Sequence, residues 1–236
     1  MNYIHMILRV FSNESWAEEF LNKGKLYCNT LNYFRMHQDK YDNNIKDPYE
    51  GLIMRMSPND GGELKLNGFK LEGIQECLLH SNFSLYKNIF CLYAPNSPAD
   101  KARTKEEFEN LVKISDDAKK LGDHLIVIRD AKTFNSRLVE KVKEMGLGMN
   151  MRLVDYRDFS GSIIIDEKDV GFVKPTQYSH QKEWRIMIDN GCDVDEPIEI
   201  EIGSIADIAF KININDFNDS IEAVHEADKS KMHCSK

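Results

Sequence analysis

The sequence predicts an α+β protein in which mixed or antiparallel sheets are flanked by helices. Short apolar runs rich in β-branched and aromatic residues recur along the chain. Only two segments combine helical periodicity with clear ends: residues 14–23, followed by Gly24, and residues 131–145, followed by Gly146. No internal repeat and no linker rich in Gly, Pro or Ser divides the sequence. We therefore expect a single α+β domain over residues 1–236.

The first half of the chain is predicted to consist mainly of short strands. Residues 3–10 form the first of them, and Ser12 is the expected N-cap of the helix that follows. The polar residues 37–50 lack an apolar period and predict a long loop, which ends in a turn because Asp47 precedes a proline. Further strands are expected at four places, the last three as an antiparallel meander: 25–30, 52–56, 63–67 and 88–93.

The second half is predicted to begin with a helix and then return to strands. Thr104 and Glu107 match a capping box, because each side chain can bind the backbone N–H of the other. Residues 216–236 predict a closing helix that frays into a polar tail. One strand is expected before the helix at 131–145, at 124–128. Five more are expected after it, at 151–156, 162–165, 183–188, 198–202 and 207–212.

The strand at 183–188 carries the most informative pattern in the chain. Its alternate residues share an apolar face that we expect to be buried: Trp184, Ile186 and Ile188. The other face has a carboxylate and a guanidinium, Glu183 and Arg185, with Gln181 just upstream. Two interpretations are open. One is an ion pair on a solvated sheet face, and the other is a functional site.

Composition excludes several classes of function. The chain has 31 Lys and Arg against 39 Asp and Glu, so broad binding of duplex nucleic acid is not expected. Its five cysteines contain no C-x-x-C pair, which favours reduced thiols over a disulfide framework. No run of 18 apolar residues occurs, and the N-terminus has no basic region ahead of an apolar one. We therefore expect a cytoplasmic protein that does not enter the membrane.

Common catalytic motifs are absent from the sequence. The seven histidines never form an H-x-H or H-x-x-x-H pair, so no metal site is predicted. Neither the G-x-S-x-G turn of serine hydrolases nor the G-x-x-x-x-G-K-[ST] loop that binds nucleotide phosphates occurs.

Several segments together carry a resemblance to a known family. They are residues 20–27, the Asp-Pro-Tyr-Glu turn at 47–50, the Phe-Cys-Leu run at 90–92, the Phe-Val-Lys run at 172–174 and residues 178–186, which end in Glu-Trp-Arg-Ile. This set resembles a large bacterial family of unknown function that is often encoded beside phage-defence and toxin genes. The chain differs in having Gln181 where many relatives have Glu, and in lacking a Met-Trp-x-x-Tyr-Ala run after 90–92. The resemblance implies a context in phage defence or toxicity, and it implies no chemistry.

A second similarity does imply chemistry. The chain has an Arg or His on the first strand, a Ser-x-Ser in the middle and a late Gln-x-Glu, in that order. This order is similar to that of ADP-ribosyltransferases, which consume NAD. The matching residues are Arg9 or His5, Ser160 and Ser162, and Gln181 and Glu183.

The similarity to ADP-ribosyltransferases implies a role for each matching residue. Glu183 would stabilise the positive charge that grows on the ribose when nicotinamide leaves. Arg9 would hold the pyrophosphate or the adenosine ribose, and Gln181 would orient a protein or nucleic-acid acceptor. The catalytic set is thus Glu183, Gln181 and Arg9, and the set expected to bind NAD is His5, Ser160, Ser162, Arg185 and Tyr33.

Two other classes of function remain open at this point. The first is a non-catalytic sensor or inhibitor whose aromatic surface captures a partner protein, formed by Tyr33, Phe34, Tyr41 and Tyr49. The second is a nucleic-acid processing enzyme with an acidic metal site and a lysine, formed by Asp47, Glu50, Glu183 and Lys174. The negative net charge and the absence of a D-x-n-E-x-K spacing weigh against this second class.

Overall fold

The computed structural model describes residues 2–37, 46–57, 60–61, 63–99 and 104–223. The helices are α1 (Glu14–Lys23), α2 (Leu31–Met36), α3 (Asn82–Leu85), α4 (Lys105–Val112), α5 (Asp116–Lys119), α6 (Ala131–Glu144) and α7 (Ile214–Ser220), with 3-10 helices at Glu167–Asp169 and Thr176–Gln181. The strands are β1 (Asn2–Ile4), β2 (Ile7–Phe11), β3 (Lys25–Thr30), β4 (Leu52–Met56), β5 (Lys65–Leu66), β6 (Phe69–Lys70), β7 (Cys77–His80), β8 (Asn88–Tyr93), β9 (Asn96–Pro98), β10 (His124–Ile128), β11 (Gly148–Leu153), β12 (Asp155–Arg157), β13 (Ile163–Ile164), β14 (Val173–Pro175), β15 (Glu183–Asp189), β16 (Ile198–Glu201) and β17 (Ala209–Asn213).

One large antiparallel sheet organises the protein. Its strands follow the order β11-β15-β8-β2-β10-β17, and β3 joins the edge of β8 beside β2 and pairs with β16. Helices α1 and α6 cover one face of this sheet and form the first core with it. Side chains of the first core include Phe11, Phe20, Phe90, Ile126, Phe134, Leu138, Trp184, Ile186 and Ile188. The predicted burial of the apolar face of β15 is confirmed.

The opposite face of the large sheet packs against shorter elements. Near β2 and β10 it is covered by α5 and α7, where Ala118, Ile214 and Phe217 are buried. Near β8 and β15 it is covered by α2 and by Phe172, which packs with Met187. Because short elements rather than long helices cover this second region, polar side chains can enter it from the connecting segments.

Small sheets complete the structure beside that second face. Strand β4 lies between β13 and β7, and β12 pairs in parallel with β14. Two further antiparallel pairs lie outside these sheets: β5 with β6, which are neighbours in the chain, and β1 with β9, which are distant in the chain. Strand β12 follows β11 directly in the chain. The backbone N–H of Asp155, the first residue of β12, donates to the carbonyl of Phe172, just before β14. This pairing brings β14 to the end of β15 at which Glu183 lies.

The predicted α+β class, with mostly antiparallel sheets and several helices, is confirmed. Helix α1 begins and ends as predicted, and Gly24 closes it with φ of 60° in the left-handed region. The capping box of Thr104 and Glu107 is present at the start of α4. No helix in the described ranges is long and apolar enough to cross a membrane.

Several predicted elements need correction. Asn13, not Ser12, caps α1, since its side chain accepts from the backbone N–H of Ser15. The strand predicted at 3–10 is divided into β1 and β2, which pair with different partners. The expected meander does not form, because β8 lies beside β15 in the large sheet while β4 pairs with β7. The final helix covers only Ile214–Ser220, and residues 224–236 of the predicted tail lie outside the described ranges.

Candidate functional site

Six polar side chains meet between the second face of the large sheet and the segments that cover it. We call them the charge cluster, and all are buried, the most exposed being Gln181 at 9%. They come from the 47–50 turn, β14, the 3-10 helix before β15, and β15 itself. The charge cluster comprises Asp47, Glu50, Lys174, Gln181, Glu183 and Arg185.

The backbone before β15 explains how Gln181 and Glu183 reach the same partner. Lys182, between them, ends the 3-10 helix in the left-handed region with φ of 41°, a conformation that non-glycine residues seldom adopt. Its own side chain points away from the charge cluster and donates to the carbonyl of Leu111. The side chains on either side of Lys182 both accept from the ammonium of Lys174, at 2.7 Å for Gln181 and 2.8 Å for Glu183.

Arg185 joins the 47–50 turn to the sheet. Its guanidinium donates to both carboxylate oxygens of Glu50, at 2.7 and 2.8 Å, and to Oε2 of Glu183 at 2.8 Å. A further bond reaches the carbonyl of Gly171 at 2.5 Å. The planar guanidinium suits such a two-pronged contact with a carboxylate, which a lysine could not make. Arg185 is 1% exposed, so its guanidinium has hydrogen bonds to these carboxylates in place of hydrogen bonds to water.

Lys174 is the second cation of the charge cluster. Its Nζ lies 3.7 Å from Asp47 Oδ2 and 3.7 Å from Glu50 Oε1, in addition to its bond with Glu183. Burial by itself lowers the pKa of this ammonium, but the charges of Glu183, Asp47 and Glu50 more than offset that effect and raise the pKa above its ordinary value. Lys174 therefore stays charged at neutral pH.

Glu183 is held in its ionised form. Burial raises the pKa of Glu183, but the positive charges of Arg185 and Lys174 lower it by more. The resulting pKa lies well below the ordinary range of a glutamate. The thiol of Cys91 also donates to this carboxylate. Burial raises the pKa of that thiol to about 12, so Cys91 is no thiolate nucleophile at neutral pH. An ionised, buried glutamate can stabilise positive charge in a reaction, but it cannot act as a proton donor.

Asp47 differs from the other two carboxylates. Its Oδ1 accepts from the backbone N–H of Tyr49 at 3.0 Å, which forms the turn at Pro48. Its Oδ2 has no hydrogen-bond partner, although the residue is only 1% exposed. Burial raises the pKa of Asp47 to about 6, against the lowering effect of Lys174. Asp47 is therefore the group in the charge cluster that changes protonation near neutral pH.

The raised pKa of Asp47 predicts a pH dependence of stability. Since its pKa is about 6 in the folded protein and near 3.8 when unperturbed, the stability that the protonated form contributes is lost as pH rises through about 6. Asp47→Asn keeps the acceptor for Tyr49 and cannot ionise. We expect it to gain roughly 2 to 3 kcal/mol over the wild type between about pH 4 and pH 7.5.

Urea unfolding of both proteins across that pH range measures this difference. Asp207→Asn is the matched control, because Asp207 is exposed and Arg137 lowers its pKa by a hydrogen bond. The control should show no change in relative stability through pH 6. A wild type and an Asp47→Asn variant whose free energies of unfolding stay parallel would contradict a raised pKa for Asp47.

The structure brings together part of the predicted site. Gln181, Glu183 and Arg185 lie side by side, and they are buried instead of lying on a solvated face. The four residues weighed for an acidic metal site also converge, but the cations of Lys174 and Arg185 lie within hydrogen-bond distance of their carboxylates. In the described part of the chain, no group of three or more His, Cys, Asp or Glu is arranged to hold a metal ion.

The sequence did contain a signal for the complete charge cluster. Each of its residues lies in one of the segments on which the predicted resemblance to the bacterial family rests: the turn at 47–50, the run at 172–174 and the segment 178–186. Those segments are far apart in the chain, and the sequence joined them only in the alternative of an acidic metal site with a lysine. The structure makes them neighbours, with Asp47, Glu50 and Lys174 as the members that the catalytic set omitted.

Arg9 does not join the charge cluster, contrary to the prediction. Strand β8 pairs with β2 at Tyr93 and with β3 near its other end, so the Cys91 carbonyl lies between the two pairings. The guanidinium of Arg9 donates to that carbonyl and lies 4.6 Å from the ring of Phe90 in the first core. Glu183 is on the opposite face of the sheet. Arg9 therefore closes a gap in the sheet, and it interacts with Glu183 only through a Coulombic attraction that partly offsets the lowering of the Arg9 pKa by burial.

His5 and Tyr33 contact other parts of the protein. His5 shares a hydrogen bond of 2.8 Å with Ser97 and packs edge-on against Phe108. Tyr33 is exposed on α2 and lines a surface cavity of about 250 Å³ together with Asp195.

Ser160 and Ser162 belong to a turn ahead of β13 in the small sheet. The hydroxyl of Ser160 donates to Asp158 at 2.8 Å, and that of Ser162 donates to Asp60 at 2.9 Å. The Ser162 hydroxyl also accepts from the backbone N–H of Ser57. These contacts fasten the turn to the end of β4, which is a structural role, and the predicted contact with NAD is not supported by their position.

The aromatic residues proposed to capture a partner do not form one surface. Phe34 packs with the buried group around Phe172, and Tyr49 packs with a separate group around Phe159. Tyr33 is exposed, and Tyr41 lies outside the described ranges.

A scan against models of protein families, a search of curated proteins and a search of solved structures each found no match.

Proposed function

We propose that the charge cluster is the active site of an NAD-consuming enzyme of the ADP-ribosyltransferase or NAD glycohydrolase type, in which Glu183 stabilises the ribose cation. The observation that carries the proposal is the state of Glu183: an ionised carboxylate, 6% exposed, held by Lys174 and Arg185 next to Gln181. Buried charges in such number are expensive to maintain, and they concentrate at functional sites more than elsewhere.

The reaction explains why such a carboxylate would be needed. When the bond between nicotinamide and ribose C1′ breaks, positive charge develops on the ribose ring. A carboxylate that is already ionised and screened from bulk water stabilises this charge more strongly than one in water. Lys174 and Arg185 keep Glu183 ionised, and they take the position beside it that the sequence assigned to Arg9. In this proposal Gln181, next to Glu183, orients the acceptor.

The setting of the reaction is proposed from the resemblance. The residues of the charge cluster coincide with the segments that resemble the bacterial family encoded near phage-defence and toxin genes. We infer an enzyme of conflict between phage and host, acting in the cytoplasm on a protein or nucleic-acid acceptor, or on water. Fold-level likeness to ADP-ribosyltransferases is part of this proposal and rests on the Gln-x-Glu at the start of β15.

Release of nicotinamide from NAD tests the proposed function. Glu183→Gln is expected to lower the rate by about 100-fold or more, because it removes the charge that stabilises the ribose cation. Glu199→Gln is the matched control, since Glu199 is also a strand carboxylate paired with a lysine, Lys25, but is exposed. The control should keep the wild-type rate. A wild type that releases no nicotinamide, with or without a cell extract as acceptor source, contradicts the proposal.

A non-catalytic binding protein is the second candidate, and one observation favours it. Both oxygens of Glu183 and all three nitrogens of the Arg185 guanidinium are hydrogen-bonded inside the protein. A purely structural network needs no more than this. In that case Glu183→Gln and Arg185→Gln should lower the urea midpoint by similar amounts. Nicotinamide should be released from NAD neither by the two variants nor by the wild type.

A further inference from the structure

One oxygen of the charge cluster has no donor. Glu50 and Glu183 each use both carboxylate oxygens to accept from Arg185 or Lys174. Asp47 uses Oδ1 for the backbone of Tyr49, while its Oδ2 is buried and without a hydrogen bond. A buried carboxylate oxygen without a hydrogen bond is unfavourable, so Oδ2 of Asp47 is the carboxylate oxygen of the charge cluster whose hydrogen-bonding capacity is entirely unused.

The position of this oxygen places it close to Glu183. Asp47 Oδ2 lies 3.7 Å from Lys174 Nζ, the same nitrogen that binds Glu183 Oε1 at 2.8 Å. At 3.7 Å the ammonium is too distant to be a hydrogen-bond donor to Asp47. A hydroxyl that binds Oδ2 would therefore lie near the ammonium of Lys174 and near the carboxylate proposed to face the ribose.

We propose that Asp47 is a further catalytic residue, the general base that takes the proton from the acceptor hydroxyl as it attacks the ribose. This inference rests on the proposed function. The acceptor oxygen forms a bond with C1′ while the bond from C1′ to the nicotinamide nitrogen breaks. The electron pair of the broken bond leaves with neutral nicotinamide. The proton of the acceptor hydroxyl moves to Oδ2 of Asp47, which is protonated at the end of this step.

The surroundings of Asp47 suit it to this task. The charged groups that face it are Lys174, Glu50 and Arg185, and burial outweighs the two cations among them. Its pKa of about 6 leaves most of the carboxylate ionised at neutral pH while keeping it a stronger base than an exposed aspartate. Glu183, whose pKa is held low, could not accept a proton in the same range.

The pH profile of NAD turnover by the full chain tests the role of Asp47. We expect the wild-type rate of nicotinamide release to fall as pH drops through about 6, because protonated Asp47 cannot act as a base. Asp47→Asn, which preserves the turn through Oδ1, is expected to lower the rate at neutral pH by about 100-fold and to abolish the dependence near pH 6. Asp207→Asn should keep the wild-type rate and profile.

Rescue by azide separates a base from a structural residue. Azide is an anion and attacks C1′ without giving up a proton, so sodium azide should restore turnover of Asp47→Asn with formation of an azido-ADP-ribose. It should not restore Glu183→Gln, which lacks charge stabilisation. If the wild type turns over NAD but Asp47→Asn keeps the wild-type pH profile, or is not rescued by azide, Asp47 is not the base. That result overturns the role of Asp47 and leaves the proposed function standing. Absence of turnover by the wild type at every pH overturns the proposed function and this inference with it.

Discussion

Arg185→Met is expected to lower the free energy of unfolding by about 3 to 5 kcal/mol. Methionine has nearly the length of arginine but leaves both oxygens of Glu50 without a donor, and it removes the two arginine donors to Oε2 of Glu183. The carbonyl of Gly171 loses its donor as well. Removal of one partner from a buried ion pair is unfavourable because the remaining carboxylates must stay charged without water or take up protons.

Urea unfolding at neutral pH measures the effect of Arg185→Met. Arg137→Met is the matched control, because Arg137 makes the same two-pronged contact with Asp207, but at the surface. The control should leave the midpoint nearly unchanged, since exposed ion pairs contribute little. A second signature is expected in pH dependence: without Arg185, the pKa of Glu183 rises and the variant recovers part of its stability as pH falls. Equal midpoints for the two variants would contradict a buried network.

Trp184→Ala should cost about 3 to 5 kcal/mol through loss of packing and formation of a cavity. Trp184 is 6% exposed and lies in the first core, on the face of β15 opposite Glu183. Its strand neighbours are Leu92 of β8 and Leu153 of β11, so alanine would open a space between three strands and the helices that cover them.

Trp16→Ala provides the control for the tryptophan prediction. Trp16 lies on α1 and is 58% exposed, so the same substitution removes little buried area. Thermal unfolding followed by circular dichroism should show a large decrease in midpoint for Trp184→Ala and a small one for Trp16→Ala. Similar midpoints for Trp184→Ala and wild type would mean that the facing of β15 is assigned to the wrong side.

The two variants affect opposite faces of the same strand, which makes them a test of each other. Trp184→Ala removes apolar packing and should have little dependence on pH. Arg185→Met disturbs charges and should depend on pH strongly. This contrast distinguishes loss of the charge cluster from general loosening of β15.

Local patterns were sufficient to predict several elements of the fold. Helix α1 could be read from its apolar spacing and from Gly24, since a left-handed residue there ends a helix whatever packs against it. The capping box at Thr104 is likewise formed by neighbours in the chain. The inward face of β15 follows from alternation, because a strand with apolar residues at every second position must turn that face to a core.

Pairing of distant segments could not be predicted from those patterns. Strand β8 was expected to continue a meander with its neighbours in sequence, yet it pairs with β15 and supports β2 and β3. The choice of partner depends on which arrangement buries the most apolar area across the entire sheet. No local signal encodes that sum.

The candidate site shows the same division. Alternation alone placed Glu183 and Arg185 on one face, but it left open whether that face meets water. Burial was decided by β14, Phe172 and the 47–50 turn, which cover the face and bring Glu50 to Arg185 across 135 residues of sequence. By itself the sequence determined the face and the residue types. The tertiary structure decided that the charges are buried and which of them meet, because an ion pair depends on distance in space and not on spacing in the chain.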